Sequence, residues 1–195
     1  GKCANCQAKI SIRYPFVEAL TGIASAVVAF QLGGGIETLL ALFLTWTLIA
    51  LSGIDIDHQL LPDNITLPVL WLGILLSLFG IFTDPVSSII GAMAGYLSLW
   101  SIYQLFKLLT GKEGMGFGDF KLLALFGAWF GWQYLMIIVL ISSLVGAIIG
   151  ISMMIILGRD KNIPIPFGPY LAIAGWIALL WGETINTVYL TSIGL

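Results

Sequence analysis

The chain has 195 residues, of which 59% are hydrophobic and only 9% are charged, whereas a soluble domain carries about 25% charged residues. This composition excludes an ordinary soluble domain and indicates a membrane protein. The net charge of −2 comes without a polybasic block or a mixture of basic and aromatic residues, so we expect no nucleic-acid partner.

The first fourteen residues are polar and contain Cys3 and Cys6 in a C-x-x-C arrangement. A structural zinc ion takes four ligands, so these two thiols would form only half of a zinc site. The sequence starts at Gly1 rather than at Met, and no signal-like segment precedes an apolar core. We therefore expect an N-terminally truncated or processed form, in which residues 1–14 are the remnant of a cytoplasmic cysteine-containing segment and residues 15–195 are the transmembrane domain.

Seven apolar segments follow this polar start. A helix that crosses a membrane needs roughly 20 residues, whereas the strands of a membrane barrel have about 10 residues of alternating pattern. The sequence therefore predicts an all-α, polytopic bundle of about seven spans in the lipid bilayer. The segments are 15–33, 36–54, 65–82, 86–109, 120–131, 133–157 and 166–182. The fifth would rise only about 18 Å, so we expect it to lean on its neighbours, to start inside a cavity, or to share a turn at residues 131–132 with the sixth.

The basic residues predict the orientation. If all seven segments cross, the eight Lys and Arg residues all lie in, or within a turn of, loops on the side of the N-terminus. By the positive-inside rule, the N-terminus and these loops are cytoplasmic. The eight residues are Lys2, Lys9, Arg13, Lys107, Lys112, Lys121, Arg159 and Lys161.

The loop predicted between the second and third segments, residues 55–64, is acidic. Two residues along a helix turn through about 200°, so at most one of Asp55 and Asp57 can point into the bundle, and spacing does not decide which. We expect the other to be a solvated loop residue, together with His58, the only histidine. Asp63 follows Pro62 at a predicted helix start, so we expect it to cap that helix.

Three glycines at alternate positions, Gly114, Gly116 and Gly118, precede Asp119. Glycine inside an element weakens it, so we expect these glycines to serve backbone freedom and close approach. An ionised group at the start of an apolar segment is costly, which favours a functional role for Asp119 over helix capping. Lys121 either pairs with a carboxylate or substrate or anchors the chain at the membrane surface, and the sequence leaves both alternatives open.

Asp119 and the acidic loop are predicted to lie at the same membrane face. Two carboxylates brought close together cannot both stay ionised, so the pair shares a proton. One member can then take a proton from water while the other polarises a peptide carbonyl, as in aspartic proteases. The prolines at 164, 166 and 169 fix the backbone before the last segment, where they either wall this site or separate two helices.

In these motifs the chain resembles the type IV prepilin peptidases, membrane aspartyl proteases of the pilus and type II secretion pathways. The resemblance implies that Asp55, which stands seven residues before Pro62, and Asp119 are catalytic. It implies supporting roles for Asp57, Pro62, Gly116, Gly118 and Lys121. The motifs are Asp55-Ile56-Asp57-His58-Gln59-Leu60-Leu61-Pro62-Asp63, Gly116-Phe117-Gly118-Asp119-Phe120-Lys121, Pro166-Phe167-Gly168-Pro169-Tyr170, and Cys3-x-x-Cys6 ahead of Arg13-Tyr14-Pro15 and Glu18.

The resemblance also implies a substrate and a location. The substrate would be a prepilin or pseudopilin leader, cut after a glycine at the cytoplasmic face of the bacterial inner membrane without a cofactor. Full-length members with two C-x-x-C pairs bind zinc and methylate the new N-terminus with S-adenosylmethionine. Only one pair is present here, so we expect this chain to cleave without methylating.

Two other functions compete with this interpretation. In a metal-dependent membrane transferase, Asp55, Asp57 and Asp63 would hold Mg²⁺ for a phospholipid or prenyl phosphate, but the glycines before Asp119 would then have no role. The loop also lacks an Arg/Lys cluster for phosphates. A proton-coupled transporter would place its acids near the membrane midplane rather than at one face.

Overall fold

The computed structural model describes residues 1, 5–7, 9, 11–111, 114–157 and 166–192. Seven α-helices and one short 3-10 helix, with no β-strand, make up the secondary structure of these residues, which confirms the all-α prediction. The helices are α1 Arg13–Leu32, α2 Ile36–His58, α3 Asp63–Ser77, α4 Pro85–Thr110, α5 Phe117–Phe130, the 3-10 helix Trp132–Tyr134, α6 Leu135–Leu157 and α7 Gly168–Ser192.

Within the described residues, five stretches are long and apolar enough to cross a membrane, as expected for a multi-pass membrane protein. They lie in five of the seven predicted spans, whereas α3 and α5, with 15 and 14 residues, are shorter. The five are Arg13–Leu32, Ile36–His58, Pro85–Thr110, Trp132–Met153 and Gly168–Val188.

The chain forms two compact units, Gly1–Trp46 and Thr47–Leu195, whose boundary falls inside α2. In the first unit, the indole N–H of Trp46 donates a hydrogen bond of 2.9 Å to the hydroxyl of Ser25 on α1. The second unit contains the end of α2 and all of α3 to α7, and it holds every residue of the site described below.

The short helix α5 is the buried centre of the second unit. Apart from the partly exposed Lys121, all of its residues from Asp119 to Phe130 are buried. It packs against α3, α4 and α7, so the short fifth segment leans on its neighbours as the sequence predicts. At its end, Gly131 has a φ of 87°, a left-handed conformation that favours glycine, and the chain turns there into the 3-10 helix and α6.

Small residues let α4 and α5 approach closely. A Cβ atom at Gly91 would collide with the backbone of Gly127, and one at Gly127 would collide with that of Gly91. The hydroxyl of Ser88 donates a 2.7 Å hydrogen bond to the carbonyl of Ala128. This is the packing that small residues allow between membrane helices.

Large side chains fill the other faces of α5. The indole N–H of Trp129 donates to the carbonyl of Val69 on α3 at 2.8 Å, and the missing side chain of Gly73 leaves room for the indole. On the side of α7, Gly175 leaves room for the ring of Phe126. Together, these contacts fix α5, which carries Asp119, in the centre of the unit.

Two helix ends differ from the sequence prediction. Helix α2 runs through Asp55 and three residues further to His58, into the predicted loop 55–64, and Gln59, with a φ of 53°, terminates it. Helix α7 extends to Ser192 rather than to residue 182, because Glu183 does not interrupt the backbone ladder. The hydroxyl of Thr187 donates to the Glu183 carbonyl at 2.8 Å, so polar side chains in this last part satisfy themselves within the helix.

Candidate active site

Two aspartates from the ends of two helices meet at one cavity. Asp55 lies in the last turn of α2, and Asp119 is the third residue of α5. Only 5% of Asp55 and 7% of Asp119 is exposed, and their charges are close enough to act on each other. Both line a cavity of about 360 Å³. The structure thus brings together the two residues that the sequence predicts to be catalytic.

The neighbours of Asp55 on α2 face away from the cavity. Asp57 and His58 are exposed, and both belong to the last turn of the helix. The prediction that they are loop residues was wrong, because the helix continues past Asp55 by its own backbone bonds. The opposite-face argument holds for this pair, since Asp55 points inward while Asp57 points outward.

A backbone donor on α7 orients Asp55. The N–H of Gly168, the first residue of α7, donates a buried hydrogen bond of 3.0 Å to Oδ2 of Asp55. Pro166 and Phe167, immediately before it, line the cavity. Of the two alternatives for the proline-rich segment, the one observed is that it forms part of the cavity wall. Pro164 lies outside the described residues. Gly168 belongs to the motif Pro166-Phe167-Gly168-Pro169-Tyr170, but the sequence did not predict this contact.

Two of the glycines before Asp119, Gly114 and Gly118, serve close approach rather than unusual backbone conformation. Gly114, Gly116 and Gly118 all line the cavity. None of the three has a positive φ, so the expected need for backbone freedom was wrong. A Cβ atom at Gly118 would stand 2.8 Å from Cβ of Leu61, and one at Gly114 would stand 2.8 Å from the ring of Phe106. The missing side chains let neighbouring segments lie against the start of α5.

Asp119 does not occupy the capping position of its helix. Gly116 is the N-cap residue of α5, with a φ of −78° and a ψ of 147°, and as a glycine it has no side chain to cap the helix. The carboxylate of Asp119 accepts a hydrogen bond from the backbone N–H of Gly116, within its own turn. Asp119 therefore lies in the first turn of the helix and on the cavity wall.

An ion pair ties the start of α3 to the start of α5. The ammonium of Lys121 lies 2.6 Å and 2.7 Å from the two carboxylate oxygens of Asp63. The prediction that Asp63 caps α3 was wrong, because Pro62 takes the N-cap position and leaves Asp63 as the first helical residue. Of the alternatives left open for Lys121, pairing with a carboxylate is the one observed.

Aromatic side chains hold the start of α5 from the side of α4. The ring of Tyr103 lies 5.4 Å from that of Phe117 and 5.6 Å from that of Phe120, measured between centroids. The ring of Tyr96 meets Phe120 edge to face at 5.9 Å. Nothing in the local sequence singled out these residues, since aromatic side chains at helical spacing are common in any core. Their contacts leave little freedom for the turn that carries Asp119.

The acidic residues do not form a metal site in the described part of the chain, where no group of three or more His, Cys, Asp or Glu residues is placed to hold an ion. Asp57 is exposed and Asp63 is paired with Lys121, so they do not converge on Asp55 as the magnesium-dependent alternative requires. Cys6 is an exposed free thiol, whereas Cys3 lies outside the described residues. The half zinc site therefore stays a prediction.

Fold and site together describe a multi-pass membrane protein with an aspartate pair on the wall of a cavity. Comparison with protein families matches residues 42–151 to the type IV leader peptidase family and residues 1–32 to the bacterial peptidase A24 N-terminal domain. The first range includes both Asp55 and Asp119. The chain belongs to the type IV leader peptidase family, the prepilin peptidases that its motifs resemble.

Similar proteins carry the name prepilin leader peptidase/N-methyltransferase. The one from Aeromonas hydrophila is 60% identical over 98% of this chain, and the one from Aeromonas salmonicida (strain A449) is 61% identical over 99% of it. The protein of that name from Pseudomonas aeruginosa PAO1 is 56% identical over the whole chain and is covered to 67%. The chain spans 66% of the length of the two Aeromonas relatives. No solved structure matches it significantly.

Proposed function

We propose that this chain is an aspartic endopeptidase that removes the leader peptide of type IV prepilins or pseudopilins. The observation that carries the proposal is the placement of Asp55 and Asp119, buried on different helices yet on the wall of one cavity. The names of the similar proteins supply the substrate class, prepilins. We assign the catalytic domain to residues 15–195 and residues 1–14 to a cytoplasmic cysteine-containing segment.

The aspartate pair performs the hydrolysis with a single shared proton. The ionised carboxylate takes a proton from a water molecule as the water oxygen bonds to the peptide carbonyl carbon, and the protonated carboxyl gives its proton to the carbonyl oxygen. When the C–N bond then breaks, the proton taken from water passes to the leaving amine, and a hydroxyl of the intermediate returns a proton to the second carboxylate. No metal ion takes part in these steps.

The cavity suits a short stretch of extended peptide. Its volume of about 360 Å³ lies in the range of roughly 300–1,000 Å³ typical of ligand sites. Apolar side chains of Leu60, Leu61, Met115 and Phe167 line it beside the two acids. An apolar lining lowers the local dielectric constant and so strengthens the electrostatic interactions of the acids with the developing charge.

We propose that this site lies near the cytoplasmic face of the bacterial inner membrane. Lys107 at the end of α4 and Lys121 at the start of α5 flank the glycines that line the cavity. Basic residues accumulate on the cytoplasmic side of membrane proteins, which supports this orientation. A prepilin presents its leader on the same side.

Cleavage of a prepilin by the detergent-purified chain, with and without a chelator, tests the proposal. We expect a shortened product in both reactions and none from the Asp119→Asn variant, which keeps the size of the side chain but not its charge. Failure of the folded wild-type chain to cleave any prepilin or pseudopilin offered would refute the proposal. Loss of cleavage on adding the chelator would instead support metal-dependent chemistry.

A further inference from the structure

We propose that Gly168 is a positioning residue of the aspartate pair, and that the N-terminus of α7 is the third structural component of the catalytic site. In this inference, which rests on the proposed function, the N–H of Gly168 fixes the carboxylate of Asp55 in the orientation that presents it to water and to Asp119. The established motifs assign no such role to a backbone group on α7.

The contact itself is direct and buried. The amide of Gly168 donates to Oδ2 of Asp55 over 3.0 Å, across 113 residues of sequence, so it joins the end of α2 to the start of α7. Gly168 is itself buried. The first N–H groups of a helix have no partner within the helix, so this donor is available to a side chain. With Oδ2 held in this way, Oδ1 is the oxygen of Asp55 that remains to act on water.

Space for Asp55 explains why the residue is glycine. A Cβ atom at position 168 would stand 2.6 Å from Oδ2 of Asp55, closer than real Cβ atoms approach other atoms, and 3.1 Å from Cγ, which is also a tight contact. The backbone of Gly168 does not require glycine by a positive φ, since the glycines with positive φ in the described chain are at positions 33, 80, 111 and 131. An added methyl group would therefore push the Asp55 carboxylate away from the position in which it now sits.

The two aspartates are held in different ways. Asp119 takes its backbone hydrogen bond from Gly116 within its own turn, so its orientation is built into α5. Asp55 depends on a donor from another helix. The relative position of the two carboxylates therefore depends on where α7 begins, and the proline on each side of the Phe167-Gly168 pair stiffens that start.

The test is the Gly168→Ala variant, assayed for cleavage of a prepilin in detergent. Because a misplacement of about 1 Å at a reacting group costs on the order of 100-fold in rate, we expect kcat to fall about 100-fold while KM stays within about twofold. The matched control is Gly22→Ala, the same exchange in a helix where a Cβ atom meets nothing within 4 Å. It should cleave like the wild type. A kcat for Gly168→Ala within threefold of the wild type overturns the inference.

A second substitution separates displacement of Asp55 from general crowding. A Cβ atom at position 168 would also stand 3.3 Å from Cδ1 of Leu61. If crowding against Leu61 were the cause, the double variant with Leu61→Ala would be as fast as Leu61→Ala alone. We expect it to stay about 100-fold slower in kcat than Leu61→Ala, because the contact with Asp55 remains, and equal rates would overturn the inference.

Amide exchange tests the contact without catalysis. In ¹⁵N-glycine-labelled protein, we expect the Gly168 amide to exchange faster in Asp55→Ala than in the wild type, because its acceptor is gone. Equal exchange rates would show that the hydrogen bond is not formed, even if Gly168→Ala fails to fold. If the wild type does not cleave at all, the proposed function fails, and the exchange experiment still decides whether the contact exists.

Discussion

Replacing Gly118 by alanine should slow cleavage strongly without unfolding the protein. The new Cβ atom would stand 2.8 Å from Cβ and 3.2 Å from Cδ1 of Leu61, whereas ordinary contacts begin at 3.4 Å. A Cβ atom is fixed to the backbone and cannot rotate away, so the two segments must separate by about 0.6 to 1 Å. Asp119 is the next residue, so it moves with Gly118. A shift of this size costs on the order of 100-fold in rate, or about 2.7 kcal/mol of activation free energy.

Initial rates of prepilin cleavage by detergent-purified variants measure this effect, with circular dichroism as the check on helical structure. Gly116→Ala is the comparison within the same stretch, since its Cβ atom would meet Oδ2 of Asp119 at an ordinary 3.7 Å and should cost far less activity. Gly118→Val adds a branched side chain and should be inactive. A Gly118→Ala enzyme as fast as the wild type would show that the approach of Leu61 does not position Asp119.

Three further predictions use the same assays. Asp55→Ala and Asp119→Ala should each abolish cleavage in folded protein, while Asp57→Ala keeps substantial activity. An inactive Asp57→Ala together with an active Asp55→Ala would show that the pair is wrongly assigned. Lys121→Met should lower the free energy of unfolding by roughly 0.2 to 1 kcal/mol, because the ion pair with Asp63 is partly exposed. Exchanging the two residues should recover part of that loss, and an unchanged melting temperature for Lys121→Met would contradict the prediction. After reaction with added S-adenosylmethionine, mass spectrometry should find the cleaved product without a methyl group, whereas a methylated product would place the transferase site within these residues.

The helices were predictable from the sequence because long apolar stretches favour burial in a membrane or a protein core. The residues at which the helices end were harder to predict. Helix α2 runs three residues past Asp55 to His58, and α7 runs through Glu183, since backbone hydrogen bonds continue across a polar side chain that has somewhere to point. The close packing of α4 on α5 did have a signal, the G-x-x-x-G spacing of Gly91 and Gly95, which sequence reasoning overlooked.

In the site, the side chains were predictable and their partners were not. Helical periodicity allowed one of Asp55 and Asp57 to face inward, and the resemblance selected Asp55. The ion pair of Asp63 with Lys121 joins residues 58 positions apart, so a local interpretation assigned each of them a separate role. The donor to Asp55 is a backbone N–H, which every residue except proline has, so no side chain in the sequence could have predicted this hydrogen bond.

The shortness of α5 explains how an acidic residue is accommodated in such an apolar protein. A helix of 14 residues rises about 21 Å, less than the hydrocarbon core of about 30 Å, so α5 cannot reach both membrane surfaces. Non-helical backbone at such depth is tolerated only where protein encloses it or where it lines a water-filled cavity. The glycines before Asp119 do line a cavity, and α3, α4 and α7 enclose the helix behind them. Because α5 begins only at Phe117, the non-helical glycine segment before it leaves room for water beside the carboxylates, which hydrolysis requires.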